Sequence, residues 1–113
     1  MIQNMNYITT PELIGSTIAE MLLVIAHEED DYVSKIKTIK NKLDAIINNA
    51  QTPVVEADED IANPKMEDLI TLLSEMMLLE QPDWENEQHL IPSYLQELSA
   101  MSDKLGRMLE ALR

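Results

Sequence analysis

The sequence contains no cysteine, which excludes disulfide staples, thiolate nucleophiles and cysteine-bound metals. It has no phenylalanine, only two glycines, one tryptophan and three tyrosines. That leaves little for the tight turns and aromatic strand pairs of an all-β fold. A glycine-rich phosphate loop is missing, and His27 and His89 have no second histidine, cysteine or Ser-His-acid spacing around them. Long apolar runs are missing too: the longest nearly apolar stretch, "IAEMLLVIA" at Ile18 to Ala26, is about half a membrane span and contains Glu20. "MIQNMNYITT" at the start carries no Lys or Arg, so it lacks the basic region of a secretory or transit signal. The expected setting is cytoplasmic, with no membrane contact.

Positive charge is also scarce where negative charge is dense. The net charge is -13, of which residues 1–50 contribute -3, residues 51–90 contribute -10 and residues 91–113 contribute nothing. Direct nucleic-acid binding is therefore disfavoured, because that affinity comes from Lys and Arg neutralising phosphates. A basic protein partner suits the field better.

What remains is rich in Leu, Ile, Met, Ala, Glu and Lys, a helix-forming set. Thr10-Pro11-Glu12 reads as a helix start, with a capping hydroxyl, proline in the first turn and an acid at the positive dipole end. From there Ile18, Leu22, Ile25, Glu29, Tyr32, Ile36, Ile39, Leu43 and Ile46 recur at alternating spacings of four and three. This heptad series predicts one long helix over 11–49, roughly 58 Å at 1.5 Å per residue. In it, Glu28, Asp30 and Asp31 face water, Asp31 pairs with Lys35 one turn on, and Glu29 is the anomaly in an apolar seam. The lysines at 35, 37, 40 and 42 flank a narrower seam in its second half.

Residues 50–63 form an acidic linker, in which Val54, Val55 and Ile61 tack lightly onto the body. Asn63-Pro64 then opens a helix over 64–80, striped by Met66, Leu69, Ile70, Leu73, Met76 and Met77. "QPDWENEQH" is a turn, and a last helix covers 92–112 with Leu98, Met101, Leu105, Met108 and Leu112 as its seam. Gly106 weakens that helix unless it permits a close crossing. The expected architecture is all-α and a single domain: one long N-terminal helix packed by two shorter helices, bundle-like or coiled-coil-like.

Helix-borne carboxylates at Glu28 and Asp31 raise a metal site, but the later helices supply no ExxE or ExxH pair to complete it. Neither a catalytic residue nor a metal or cofactor is expected. The function read from the chain is a non-enzymatic protein–protein interaction module, such as an adaptor, small chaperone or inhibitor, that forms a homo-oligomer, with a dimer favoured. Its candidate partner-binding residues are Glu29, Tyr32, the acids Glu56, Asp58, Glu59 and Asp60, the methionines Met76 and Met77, and Trp84. Methionine stripes most often fill cores, and Trp84 equally suits packing at the bundle end. Two alternatives are an acidic nucleic-acid mimic that inhibits a basic DNA- or RNA-binding protein, and a structural coiled-coil subunit of a larger assembly.

Overall fold

The computed structural model describes residues 11–27, 31–57 and 62–112. Four α-helices, and no strand, occur among them: α1 (Pro11–Ala26), α2 (Tyr32–Asn49), α3 (Met66–Leu78) and α4 (Ile91–Ala111), the last preceded by a 3-10 turn at Gln88–Leu90. The body measures 45 × 29 × 23 Å, too short for a straight 58 Å spine.

The long helix over 11–49 is therefore replaced by two. Its break falls in the acidic run, and the reason is electrostatic. Carboxylates are unfavourable at the negative C-terminal end of one helix and favourable at the positive N-terminal end of the next. Asp31 has extended backbone (φ -76, ψ 170) and its Oδ1 accepts the Ser34 N–H at 2.7 Å, so it caps α2 and is not paired with Lys35. Those hydrogen bonds hold the Asp31 carboxyl below the usual carboxylate range. Lys35 instead buries its side chain, 6% exposed, and donates from Nζ to the Ile25 carbonyl at 2.6 Å, closing the end of α1. Tyr32, the next seam residue, begins α2. The expected register for Glu29 lies outside the described residues, as does the Thr10 cap.

The chain reverses across this turn. Lys35 reaches Ile25 and, two turns on, Lys42 reaches Glu20 at 2.8 Å, so α1 and α2 are antiparallel. The α2 seam is as expected, with Ile36, Ile39, Leu43 and Ile46 all buried. In α1 the buried positions are Ile14, Thr17 and Met21, while Leu22 is 42% exposed. Once the helix is broken, nothing ties the register of its first half to that of its second.

The Schellman bonds Gln51 N–H to Asn48 O and Thr52 N–H to Ile47 O end α2, with Gln51 in the left-handed region at φ 57. The chain then climbs along α4 as a strap. The buried Ser99 hydroxyl accepts the Val55 N–H at 3.0 Å and donates to the Pro53 carbonyl at 3.1 Å; Asp103 Oδ2 accepts the Ala57 N–H at 2.8 Å. Val54 points to solvent, and Ile61 lies outside the described residues. The strap delivers the chain to α3, whose first turn is closed by Asp68 Oδ2 accepting the Lys65 N–H at 2.7 Å, with Pro64 buried just before it.

Contacts run α1 to α2, α2 to α4, α4 to α3 and α3 to α1, a closed ring around one apolar cluster fed by all four helices. The α2–α4 pair is the closest. Lys40 Nζ bridges Asp44 Oδ2 and Ser102 Oγ, each at 3.0 Å, and Ser102 also donates to Asp44. Gly106 serves this crossing: a Cβ there would sit 3.2 Å from Lys40 Cε. The α3–α4 pair touches least.

Replacing Ser99 with Ala removes both strap bonds and leaves the Val55 N–H without its acceptor. Chemical denaturation should show a loss of about 1–3 kcal/mol, with amide exchange accelerated at Val55 of the strap and unchanged at Leu98 of α4.

Candidate functional site

Each expected contact residue has a definite place. Tyr32 is half-buried, and its hydroxyl donates to the Lys65 carbonyl at 2.6 Å, pinning the start of α2 to the start of α3. Burial, with the Asp68 carboxylate nearby, pushes its ionisation up to about 12. Glu56 is exposed on the strap. Glu29, Asp58, Glu59 and Asp60 lie outside the described residues. Met76 is 1% exposed and belongs to the core, because the helix period turns it inward, whereas Met77, one residue on, is 53% exposed. The five that are described, Tyr32, Glu56, Met76, Met77 and Trp84, do not converge on one site.

Trp84 sits at the bundle end, partly buried against the core, in a turn tied by Asp83. Asp83 Oδ1 accepts the Glu85 and Asn86 N–H groups at 2.9 and 3.3 Å, and these bonds with the Asn86 side chain keep the Asp83 carboxyl below its ordinary range. The Trp84 indole Nε1 is buried and meets no acceptor among the described residues. The ring borders a cavity of ≈ 680 Å³ over the end of α2, among Thr52, Pro53, Gln88, Ile91 and Gln96, whose lining carries no charged side chain.

Two other surfaces are assembled by the fold. The first is a mostly apolar face across α1 and α3, bordered at the helix starts by Glu12 and Glu67. Glu20, which reaches α2, and Leu22 are two residues apart and so about 200° apart around α1. Leu22 therefore lies on the side away from α2, with Gly15, Ala19 and Ala26 at spacings of four, three and four. On α3 the same rotation separates Glu75, which faces α4, from Met77, which faces the α1 side with Ile70. Leu22, Ile70 and Met77 are 42, 48 and 53% exposed.

The second surface is a furrow of ≈ 510 Å³ on the loose α3–α4 seam. Leu72, Ala100 and Met101 form its floor, and Glu56 of the strap, Glu75 of α3 and Glu97 of α4 stand on its walls. A smaller hollow of ≈ 270 Å³ continues it past Ser93 and Glu97, adding Glu80, Glu87 and the apolar Leu79, Pro82 and Leu90. Sequence reading named Glu56 in advance, but not Glu97 or Met101 as its neighbours.

Among the described residues, no group of three or more His, Asp or Glu is placed to hold a metal, and no helix is long and apolar enough to cross a membrane. No protein-family model, curated protein or solved structure matches the chain.

The Tyr32 arrangement has a pH signature. The unfolded phenol ionises near its ordinary 10.0 and the folded one near 12, so its stabilising contribution holds below pH 10 and is lost as pH rises through that window. Absorbance titration at 295 nm should show a late phase that shrinks in Tyr32→Phe; an unchanged curve contradicts the burial of Tyr32 beside Asp68.

Proposed function

We propose that this chain is a non-enzymatic protein–protein interaction module that self-associates, as a dimer, through the α1/α3 face. The observation that supports this most is the pair of apolar stripes, Gly15-Ala19-Leu22-Ala26 beside Ile70 and Met77, on a chain of net charge -13, with acids only at their starts, Glu12 and Glu67. Two such copies repel wherever their acids meet, and the Leu22, Ile70 and Met77 part of this face lets them meet with few acids opposed. A two-fold contact pairs one patch with itself and needs no charge matching. Gly15 helps further, since a Cβ there would meet nothing within 4 Å, so the backbone is open to a close neighbour.

Burial of the exposed parts of Leu22, Ile70 and Met77 in both copies is worth about 1 kcal/mol per side chain. The six side chains give about 6 kcal/mol before the cost of association, so the dimer is weak, with a Kd of about a millimolar or above. Sedimentation equilibrium from about 0.1 to 3 mM should show a mass rising from 12.9 kDa towards twice that value. Leu22→Glu with Met77→Glu should keep the mass monomeric throughout with unchanged helical circular dichroism. A wild-type mass that stays monomeric across the range overturns the reading.

A second reading, the nucleic-acid mimic, is favoured by the row of Glu56, Glu75, Glu80, Glu87 and Glu97 beside one another on the α3–α4 side. It would compete with DNA for a basic protein and lose affinity steeply with salt.

A further inference from the structure

The α3–α4 furrow is a different surface from the self-association face, and we infer that it binds a basic amphipathic helix of a partner protein. Three observations converge on this. The seam is the loosest of the helix ring, so an elongated hollow is left where a neighbouring helix would otherwise fill it. Its lining includes the apolar Leu72 of α3 and Ala100 and Met101 of α4, which form the floor between the two helices. Its walls carry Glu56, Glu75 and Glu97, joined at one end by Glu80 and Glu87. None of Glu56, Glu75 and Glu97 makes an ion pair with another described residue. Glu87 is partly engaged, one oxygen accepting the Asp83 N–H at 2.9 Å.

An apolar floor between acidic walls is complementary to a helix with one apolar row flanked by Lys and Arg. A nucleic-acid mimic needs only the walls. The floor is what separates the two, because a basic DNA-binding face offers nothing apolar to fill it. Length agrees as well: from Leu90 to Lys104 the α4 side of the furrow runs about 21 Å, which takes a helix of about 14 residues. Lys104, the one cation on the lining, closes the end remote from Glu80 and Glu87. It gives the site a direction, with the negative C-terminal end of the bound helix at Lys104.

The test uses three labelled synthetic peptides of about 14 residues: a Leu/Lys helix with leucines along one side, the same composition scrambled so that they are not, and oligolysine. Fluorescence anisotropy against the full chain should give the first peptide the tightest binding, with the other two weaker by about tenfold or more. Glu56→Gln, Glu75→Gln and Glu97→Gln together should weaken it by a similar factor. The charge-matched set Glu12→Gln, Glu67→Gln and Glu110→Gln, away from the furrow, should leave it within about twofold. Ala100→Trp, which fills the floor without changing charge, should also abolish the preference for the amphipathic peptide; circular dichroism checks that each variant is folded. Equal weakening by both triple variants, oligolysine binding as tightly as the amphipathic peptide, or no binding at all would each overturn the site, and the second of these would favour the polyanion mimic.

Discussion

The pair of hydrogen bonds at the α1–α2 turn sets every later contact. Asp31 accepts from the start of α2 while Lys35, one turn along, donates to the carbonyl end of α1. Each group sits where the helix dipole favours its charge: the carboxylate at a positive end, the ammonium at a negative one. Lys35 also brings its aliphatic stem into the interior, which suits a residue 6% exposed. A chain that would otherwise extend as a spine is folded back into a hairpin, and only then can α4 pack on the free side of α2 and α3 close the ring.

From that reversal the rest follows by direction. Asp44 of α2 meets Ser102 of α4 while Lys40, one turn earlier, lies against Gly106, one turn later, so these helices are antiparallel, and α4 runs in the same sense as α1 across the ring. Tyr32 meets Lys65, so α3 starts at the end where α2 starts. The connection from α2 to α3 therefore has to traverse the body, and Ser99 and Asp103 supply the side-chain bonds that hold it there. The strap is also one wall of the furrow. An acidic connection is thus kept beside α4, with Glu56 facing the hollow, by the same bonds that satisfy its backbone.

Much of the fold was legible in the residues. The α2 seam, the α3 and α4 spans to within two residues, and the all-helical class follow from periodicity and from proline placement. The break was not read, although its signal was present: Asp31 three residues before Ser34 is an N-cap pattern, and it was outweighed by a heptad that continued through the acids by coincidence. Leu22 was consequently placed in the seam when its register actually exposes it. The candidate surfaces were legible in composition and not in place. The acids and methionines were visible as residue types, but only the ring order decides that Glu56, Glu75 and Glu97 share a furrow, or that Met76 is core while Met77 is surface. Buried hydroxyls such as Ser99 and Ser102 left no trace in a reading built on apolar spacing and charge.

The chain reversal is the claim on which both surfaces rest, and the lack of native cysteine makes it simple to measure. Spin labels on cysteines introduced at the exposed Ser16 and Ala45 report the distance between the two ends of the hairpin. With the protein diluted by unlabelled copies, double electron–electron resonance should give a separation below about 25 Å, since adjacent helices pack 8–10 Å apart and the labels add their own reach. A continuous helix would instead hold the two sites roughly 44 Å apart, and a distribution centred there would contradict the account.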